Sequence, residues 1–279
     1  MQGLQTLINH LGDGKNIHIS VLDLCGVLNA PLACIDFNNI IHSKRFCDLA
    51  KSTERGYRVC LRCKMLANQK AVSGKEPFEG HCLYGLYEVG YPVIIGCSVA
   101  AIIYVGNAVV SEEKTLERIK KVCGYTGADT SELLKELPQC EYIDDSKALY
   151  EIAEILSDYI KLICQTSTER EPKLHWLVAV LKQYADEMYC TSITLGELAK
   201  TYQKNEKYMG RLFKREMGIS FNEYCMELRM NKAEKMLISG KEKIIDISLE
   251  CGFNNISYFN RVFQKKYGMS PSAYRMQTK

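Results

Sequence analysis

Two short segments near the C-terminus combine apolar residues at helical spacing with arginine, lysine and asparagine on the opposite face. Arginine can pair with guanine and asparagine with adenine, with roughly 1–3 kcal/mol of discrimination per pair, and lysine is suited to phosphates. The spacing therefore predicts two helices that read double-stranded DNA. The predicted contact residues are Lys207, Tyr208, Arg211, Lys214 and Arg215 in the first helix, and Ile256, Ser257, Asn260, Arg261 and Lys265 in the second.

Each predicted helix has start and stop signals. Asn205 is expected to cap the first helix, which ends near Met217. The second begins after Asn254 or Asn255, and Gly268 stops it. Two alternatives stay open: an ordinary amphipathic surface helix shows the same signals, and the arginine that begins each R-x-F motif can brace its helix or contact a phosphate instead of a base.

The two segments repeat each other. Residues 211–224 (RLFKREMGISFNEY) align with 261–274 (RVFQKKYGMSPSAY) at a constant offset of 50 residues. The doubled motif, with GF, S-Y-F-x-R-x-F and G-x-S-P-x-x-Y-R in the second copy, resembles the AraC/XylS family of transcription regulators. The resemblance implies an all-α DNA-binding domain with two helix-turn-helix units, joined by a helix that we place at 221–237. If that helix is rigid, the two recognition helices enter successive major grooves, about 34 Å apart.

A second set of chemically capable side chains lies in the N-terminal half. Cys60 and Cys63 form a C-x-x-C pair, and His81, Cys82 and Tyr84 follow later in the chain. We predict that these five residues line the pocket of a small-molecule effector. The alternatives are cysteines that serve only as small core residues, tetrahedral zinc binding and a redox-active thiol pair, although no second C-x-x-C follows. No metal and no cofactor are predicted.

The elements around these residues predict an α+β domain. A strand is expected at 31–37, and two to four antiparallel strands are expected within 78–110, where β-branched and aromatic runs alternate with glycine and proline. A small sheet backed by helices is the form of PAS- and GAF-like sensory domains. Helices are expected at 3–11, 21–28, 56–75, 112–123 and 131–137.

A further pattern runs through residues 5–165. Its members are Phe46-Cys47, Gly56, Cys60, Cys82, Gly85-Leu86, Pro92 and Gly106. The pattern is similar to the PocR-type sensory domain of regulators of diol and polyol use, which implies an effector of the diol or polyol class. The chain departs from the pattern at Leu83, where a histidine is usual, and at Lys64, where an acidic residue is common.

A long helix is predicted at 144–165. Its apolar residues recur at spacings of three and four, which is typical of a coiled-coil seam in a dimer and equally typical of packing against the helix's own domain: Leu149, Ile152, Leu156, Tyr159 and Ile163. The polar stretch 166–172, TSTEREP, is predicted to be a linker. It separates an effector-sensing domain at 1–165 from a DNA-binding domain at 173–279, whose first helix is expected at 173–189.

The distribution of charge supports this division. Residues 172–279 carry a net charge of +7 and the rest of the chain −4, so the basic half is the half with the repeated helices. No apolar run reaches the roughly 18–20 residues that cross a bilayer, and the N-terminus lacks signal-peptide features. The 13 scattered cysteines indicate reduced thiols. A cytoplasmic protein without a membrane partner is therefore expected.

Together these features predict a transcription regulator, an activator that is not an enzyme. The expected partners are double-stranded DNA, a small-molecule effector, RNA polymerase and a second copy of the chain. A metal- or redox-responsive regulator that senses through Cys60, Cys63 and Cys82 is the alternative. A DNA-repair methyl acceptor joined to the same kind of DNA-binding domain, and a constitutive architectural protein, are two further hypotheses.

Overall fold

The computed structural model describes residues 3–30, 32–166, 175–191, 194–239 and 242–277. The chain divides into two compact units, Met1–Trp176 with Thr201–Gln203, and Leu177–Lys200 with Lys204–Lys279. Apart from Thr166, the predicted linker at 166–172 lies outside the described residues, so its position stays a prediction. None of the helices described has the length and apolar character of a membrane span.

The N-terminal unit is built on one sheet. Strands β1 (His18–Asp23), β2 (Phe78–His81), β3 (Tyr87–Ile95) and β4 (Ser98–Val109) pair antiparallel in the order β1-β4-β3-β2. The two-residue strand β5 (Glu141–Tyr142) adds a parallel pairing to β4. The predicted antiparallel strands within 78–110 are confirmed, and β4 is buried along almost its whole length because both of its faces are covered.

Helices cover the sheet, as an α+β fold requires. In chain order they are α1 (Leu4–Gly12), α2 (Phe37–Ile40), α3 (Arg45–Ala50), α4 (Glu54–Gly74), α5 (Glu112–Thr126), α6 (Thr130–Glu136) and α7 (Lys147–Thr166). Side chains of successive strand residues point to opposite faces, so the sheet presents one face to α7 and α1 and the other to α4.

The apolar stripe of α7 is used inside its own unit. Leu149, Ile152, Leu156 and Ile163 are buried in one cluster with side chains of β1, β3 and β4, and Tyr159 packs at its edge. Burial of each such side chain contributes roughly 1.5–3 kcal/mol. Of the two interpretations of this stripe, the structure therefore supports packing against the helix's own domain.

Two sequence predictions in this unit are wrong. No helix spans 21–28, because Val21–Asp23 belongs to β1, whose six residues are all buried. A continuous apolar run is ambiguous between a buried strand and a buried helix. Asp23 then ends the strand, because its carboxylate accepts hydrogen bonds from the backbone N–H groups of residues 25–28. No strand forms among residues 32–37, and α2 begins at Phe37.

The C-terminal unit confirms the predicted all-α class, since every regular element that the structure describes there is a helix. The helices are α8 (Trp176–Met188), α9 (Leu195–Thr201), α10 (Glu206–Met217), α11 (Phe221–Ser239), α12 (Ile244–Glu250), α13 (Ile256–Tyr267) and α14 (Pro271–Gln277). Met230, Ala233 and Leu237 of α11 share a core with Phe259 and Phe263 of α13. The helix that joins the two repeated segments is thus part of the second segment's core.

Candidate nucleic-acid interface and effector site

The first recognition helix, α10, is fixed at both ends. The Asn205 side chain accepts a hydrogen bond from the Tyr208 backbone N–H at 3.1 Å, and Gly218 ends the helix in the left-handed conformation at φ 79°. Its apolar face is buried, with the Phe213 ring 5.5 Å from that of Phe221. All five residues predicted to contact DNA from this helix are exposed: Lys207, Tyr208, Arg211, Lys214 and Arg215.

The second predicted recognition helix, α13, has the same cap, the same glycine end and a buried apolar face. Asn255, and not Asn254, caps it by accepting from the Tyr258 backbone N–H at 3.0 Å, and Gly268 ends it at φ 77°. Phe259 and Phe263 are buried beneath it. Of the five predicted contact residues, Ile256 is half-buried and the others are exposed: Ser257, Asn260, Arg261 and Lys265.

Sequence reasoning missed one residue on this surface. The Tyr258 side chain is 43% exposed, and the guanidinium of Arg261 lies 5.3 Å from its ring centre. Such a stack holds an arginine in place. The sequence repeat points to this residue, because Tyr258 stands 50 residues after Tyr208, which is one of the predicted DNA contacts.

Each recognition helix follows a short helix and a tight turn. In the first pair, Thr194 and Glu197 cap α9 reciprocally, with backbone-to-side-chain hydrogen bonds of 2.9 and 3.2 Å. In the second pair, α12 is followed by Gly252 at φ 81°. The pairs α9–α10 and α12–α13 are two helix-turn-helix units, each of which presents a basic, polar helix face to solvent.

The N-terminal unit contains a small cavity between α3, α4 and the turn after β2. Four of the five predicted effector residues line it: Cys60, Cys63, Cys82 and Tyr84. The cavity volume is about 30 Å³, room for one or two water molecules. His81 is not among its lining residues. The side chain of His81 is exposed, and its ring packs edge-on against that of Tyr87 at 5.1 Å.

The cysteines at the cavity are half-buried. Burial raises the pKa of Cys60 and Cys63, and it raises that of Cys82 to about 12. A redox-active or metal-binding cysteine needs its thiolate. Among the residues described, no group of three or more His, Cys, Asp or Glu side chains is arranged to hold a metal ion. The raised thiol pKa values weigh against the redox alternative.

A polar cluster that sequence reasoning missed lies beside the cavity. The rings of His18 and His42 are 5.0 Å apart, His42 Nδ1 is 3.7 Å from Cys47 Sγ, and that thiol donates to Asn107 Oδ1 at 3.2 Å. Asn107 adopts φ 67° where the β3–β4 register shifts. A β-bulge changes the direction of a side chain in this way, here that of Asn107. The sequence indicated the bulge only through the Gly106-Asn107 pair inside a strand-forming run.

The buried His18 makes the stability of the protein depend on pH. Burial, assisted by neighbouring His42, lowers the pKa of His18 to about 3. As pH falls below about 6.5, the unfolded chain binds a proton that the folded chain excludes, so the free energy of unfolding falls by up to about 1.4 kcal/mol per pH unit. We expect His18→Asn to reduce this slope in urea unfolding between pH 7 and pH 5.

The exposed His10 on α1 provides the matched control. His10→Asn should leave the slope of the natural protein unchanged, since the variant removes a histidine without removing a buried one. Equal slopes for the natural protein and His18→Asn would contradict the assignment of His18 as a buried neutral imidazole.

Two helix-turn-helix units joined by a helix, which follow an α+β unit in the chain, define a transcription regulator with a sensory part. Residues 198–277 match the family model of a helix-turn-helix domain, and residues 1–168 match that of the sensory domain found in PocR. The second match covers more than half of the chain. The chain therefore belongs to the AraC-type regulators that carry a PocR sensory domain, which confirms both resemblances.

Individual relatives agree with this assignment. The regulatory protein PocR of Salmonella typhimurium is 24% identical over 264 residues, which cover 87% of this chain and 85% of PocR. The bifunctional transcriptional activator/DNA repair enzyme AdaA of Bacillus subtilis is 33% identical over 116 residues. That match covers 42% of this chain, spans only about half of AdaA (54%), and lies in the helix-turn-helix part.

A solved structure is also similar. The C-terminal domain of AraT, a response regulator from Geobacillus stearothermophilus, shares 31% identity with the chain and a TM-score of 0.37. The similarity covers 38% of this chain and 88% of the AraT domain.

Proposed function

We propose that the chain is a sequence-specific transcription regulator whose hold on DNA is set by a small molecule bound to residues 1–165. The observation that carries this proposal is that the same set of structural features occurs in two segments of the chain. Residues 205–218 and 255–268 each contain an asparagine cap, a buried aromatic face, an exposed arginine and a left-handed glycine stop. A single amphipathic surface helix would not require that repetition.

On the DNA side, we assign base reading to the exposed arginines and Asn260. Arg211 and Arg261 occupy equivalent positions on α10 and α13, and Asn260 precedes Arg261 on the same exposed surface. The lysines Lys207, Lys214 and Lys265, with Arg215, are suited to the phosphate backbone. Glycine at position 210 offers no side chain, so the first unit reads fewer bases than the second.

On the effector side, we assign ligand binding to the cavity that Cys60, Cys63, Cys82 and Tyr84 line. The match of residues 1–168 to the sensory domain found in PocR, a type of domain that we associated by resemblance with regulators of diol and polyol use, supports an effector of the diol or polyol class. Ligand binding alters DNA affinity only if the ligand has different affinities for the two conformations of the regulator. We propose a sensory domain at 1–165, a linker at 166–172 and a DNA-binding domain at 173–279, and we propose that ligand binding alters the dimer geometry or the hold on the DNA-binding domain.

The regulator acts in the cytoplasm as an activator rather than as an enzyme, with RNA polymerase and a second copy of the chain as partners. AdaA, whose name includes transcriptional activation, supports this direction of regulation through the shared helix-turn-helix part. Because the apolar stripe of α7 is buried in its own unit, we place the contact between copies elsewhere.

The test is binding of the full chain to DNA upstream of its own gene at fixed salt, with and without 1,2-propanediol or glycerol. Salt is fixed because phosphate contacts make affinity salt-dependent. The expected result is specific binding whose affinity or footprint changes with a diol and not with 1-propanol. Specific DNA binding whose affinity and footprint do not change with any diol would contradict the proposed effector class. DNA binding without sequence preference would contradict the proposed function as a sequence-specific regulator.

A further inference from the structure

A half-buried lysine stands on the sheet face that α4 covers. Lys64 Nζ is shielded from solvent and makes no hydrogen bond of good geometry. It lies 3.5 Å from Glu88 Oε2 of β3 and 3.1 Å from the centre of the Tyr104 ring. An ammonium group carries three donors, and leaving buried charged donors unused is costly. The ion pair and the ring contact offset the charge but leave the donors free for a ligand.

The surrounding fold holds both partners of Lys64 in place. Glu88 pairs with Gly106 across the β3–β4 ladder, where a Cβ would lie 2.4 Å from Glu88 Cβ. The Tyr104 hydroxyl donates to Asn68 Oδ1 at 2.7 Å, and Asn68 lies one turn after Lys64 on α4. The geometry of the pair is therefore set before any ligand binds.

The site as a whole is electrically balanced. Lys64 and Glu88 cancel, and nearby Lys51 is paired with Asp48 at 3.2 Å. The other titratable side chains in electrostatic reach of the pair are neutral, because burial lowers the pKa of the histidines and raises that of the thiols and of the tyrosine: His18, His42, Cys47, Cys60, Cys63, Cys82 and Tyr104. A carboxylate, phosphate or metal ion would add a buried charge without a partner. A neutral ligand would not.

We propose that Lys64 and Glu88 form the hydroxyl-binding end of the effector site, and that the effector is a small neutral compound with hydroxyl groups at one end. This inference rests on the proposed function and adds the residues that recognise the ligand. A ligand hydroxyl oxygen accepts from Lys64 Nζ, and the proton of the same or the neighbouring hydroxyl is donated to Glu88. The shielded ammonium group of Lys64 then gains an acceptor.

In this proposal the site extends from the ion pair to the cavity, whose lining includes neither Lys64 nor Glu88. Cys60 lines it and lies one helical turn before Lys64 on the same face of α4, while Phe46, Val59 and Leu86 make its wall apolar. A cavity of about 30 Å³ has room for one or two water molecules, and a three-carbon diol is larger than that. Ligand binding must therefore enlarge the space between α3 and α4, which gives the liganded chain a different conformation from the free one.

The experiment is isothermal titration of the full chain with 1,2-propanediol, glycerol, 1-propanol and propionate. The variants are Lys64→Met, Glu88→Gln and the double change Lys64→Met/Glu88→Leu. Controls come from an exposed ion pair on the same helix, Glu54–Arg58 at 2.7 Å, as Glu54→Gln and Arg58→Met. We expect the natural chain and the controls to bind the diols alike, and the three variants to bind them about 10- to 100-fold more weakly.

The double variant separates recognition from folding. Replacing a buried ion pair by apolar residues of similar size is often neutral or stabilising, so we expect an unchanged or higher melting temperature together with lost diol binding. Undiminished diol binding by the folded variants overturns this inference and leaves the proposed function unaffected. A natural chain that binds propionate more tightly than the diols has the same consequence. A natural chain that binds none of the compounds overturns both the effector class and this inference.

Discussion

Replacing both Arg211 and Arg261 with alanine is expected to weaken binding to a specific DNA site by about 30- to 10,000-fold. Each arginine is exposed at the equivalent position of its recognition helix, and a bidentate contact to guanine provides roughly 1–3 kcal/mol of discrimination, with 1.4 kcal/mol for each factor of ten. The free energy of unfolding should stay within about 0.5 kcal/mol of the natural value, as for other exposed positions. Fluorescence anisotropy with specific and scrambled DNA measures the effect.

The control removes the same charge from the same helices. Lys214→Ala/Lys265→Ala should weaken binding to specific and scrambled DNA by the same factor and lower the slope of affinity against salt. If the arginine variant also loses both affinities equally, the arginines contact phosphates or brace their helices, and base reading by these two side chains is wrong.

Gly252→Ala is expected to destabilise the C-terminal unit by about 3 kcal/mol or more. Gly252 adopts φ 81° in the turn before α13, and a Cβ there would lie 2.3 Å from the carbonyl oxygen of Cys190. The Cys190 carbonyl cannot easily move away from this Cβ, because the backbone on either side of it is held by hydrogen bonds. The guanidinium of Arg229 donates to the flanking carbonyls of Tyr189 and Thr191 at 2.5 and 2.8 Å. Urea unfolding followed by circular dichroism measures the loss.

Gly268 provides the matched comparison for this change. Its φ of 77° is nearly the same, but nothing lies within 4 Å of the position of a Cβ. Gly268→Ala should therefore cost only the left-handed strain, about 1–2 kcal/mol. Equal losses for the two variants would mean that the approach of the Cys190 carbonyl to Gly252 does not limit the substitution.

The C-terminal unit was predictable because its local signals agree with one another. Around Phe259 and Phe263, helical spacing, an asparagine cap and a glycine stop all indicate the same helix, and the repeat confirms the interpretation at a second place in the chain. The caps of α10 and α13 lie where they were expected, with Asn255 chosen over Asn254. The 50-residue offset of the repeat relates Tyr258 to Tyr208, so the sequence also contained the information needed to predict Tyr258 as a contact residue.

The N-terminal unit was less predictable because its key features depend on pairing between distant strands. The wholly buried strand β1 has no alternation to mark it, and its last three residues were assigned to a helix. The spacing along α7 fits either a dimer seam or an internal core, and only the presence of the sheet decides between them. His81 ends β2 beside Tyr87 rather than at the cavity, and the Lys64–Glu88 pair joins residues whose approach depends on strand register.

Selection of bound sequences from a random DNA library by the purified full chain is the most direct measurement of what the repeated units do. We expect two short enriched motifs about 10–10.5 base pairs apart, one for each helix-turn-helix unit on the same face of the duplex. Repeating the selection with Arg261→Ala should relax one motif and leave the other intact. Enrichment of no motif, or of a single one that the arginine change does not affect, would contradict DNA reading by two recognition helices.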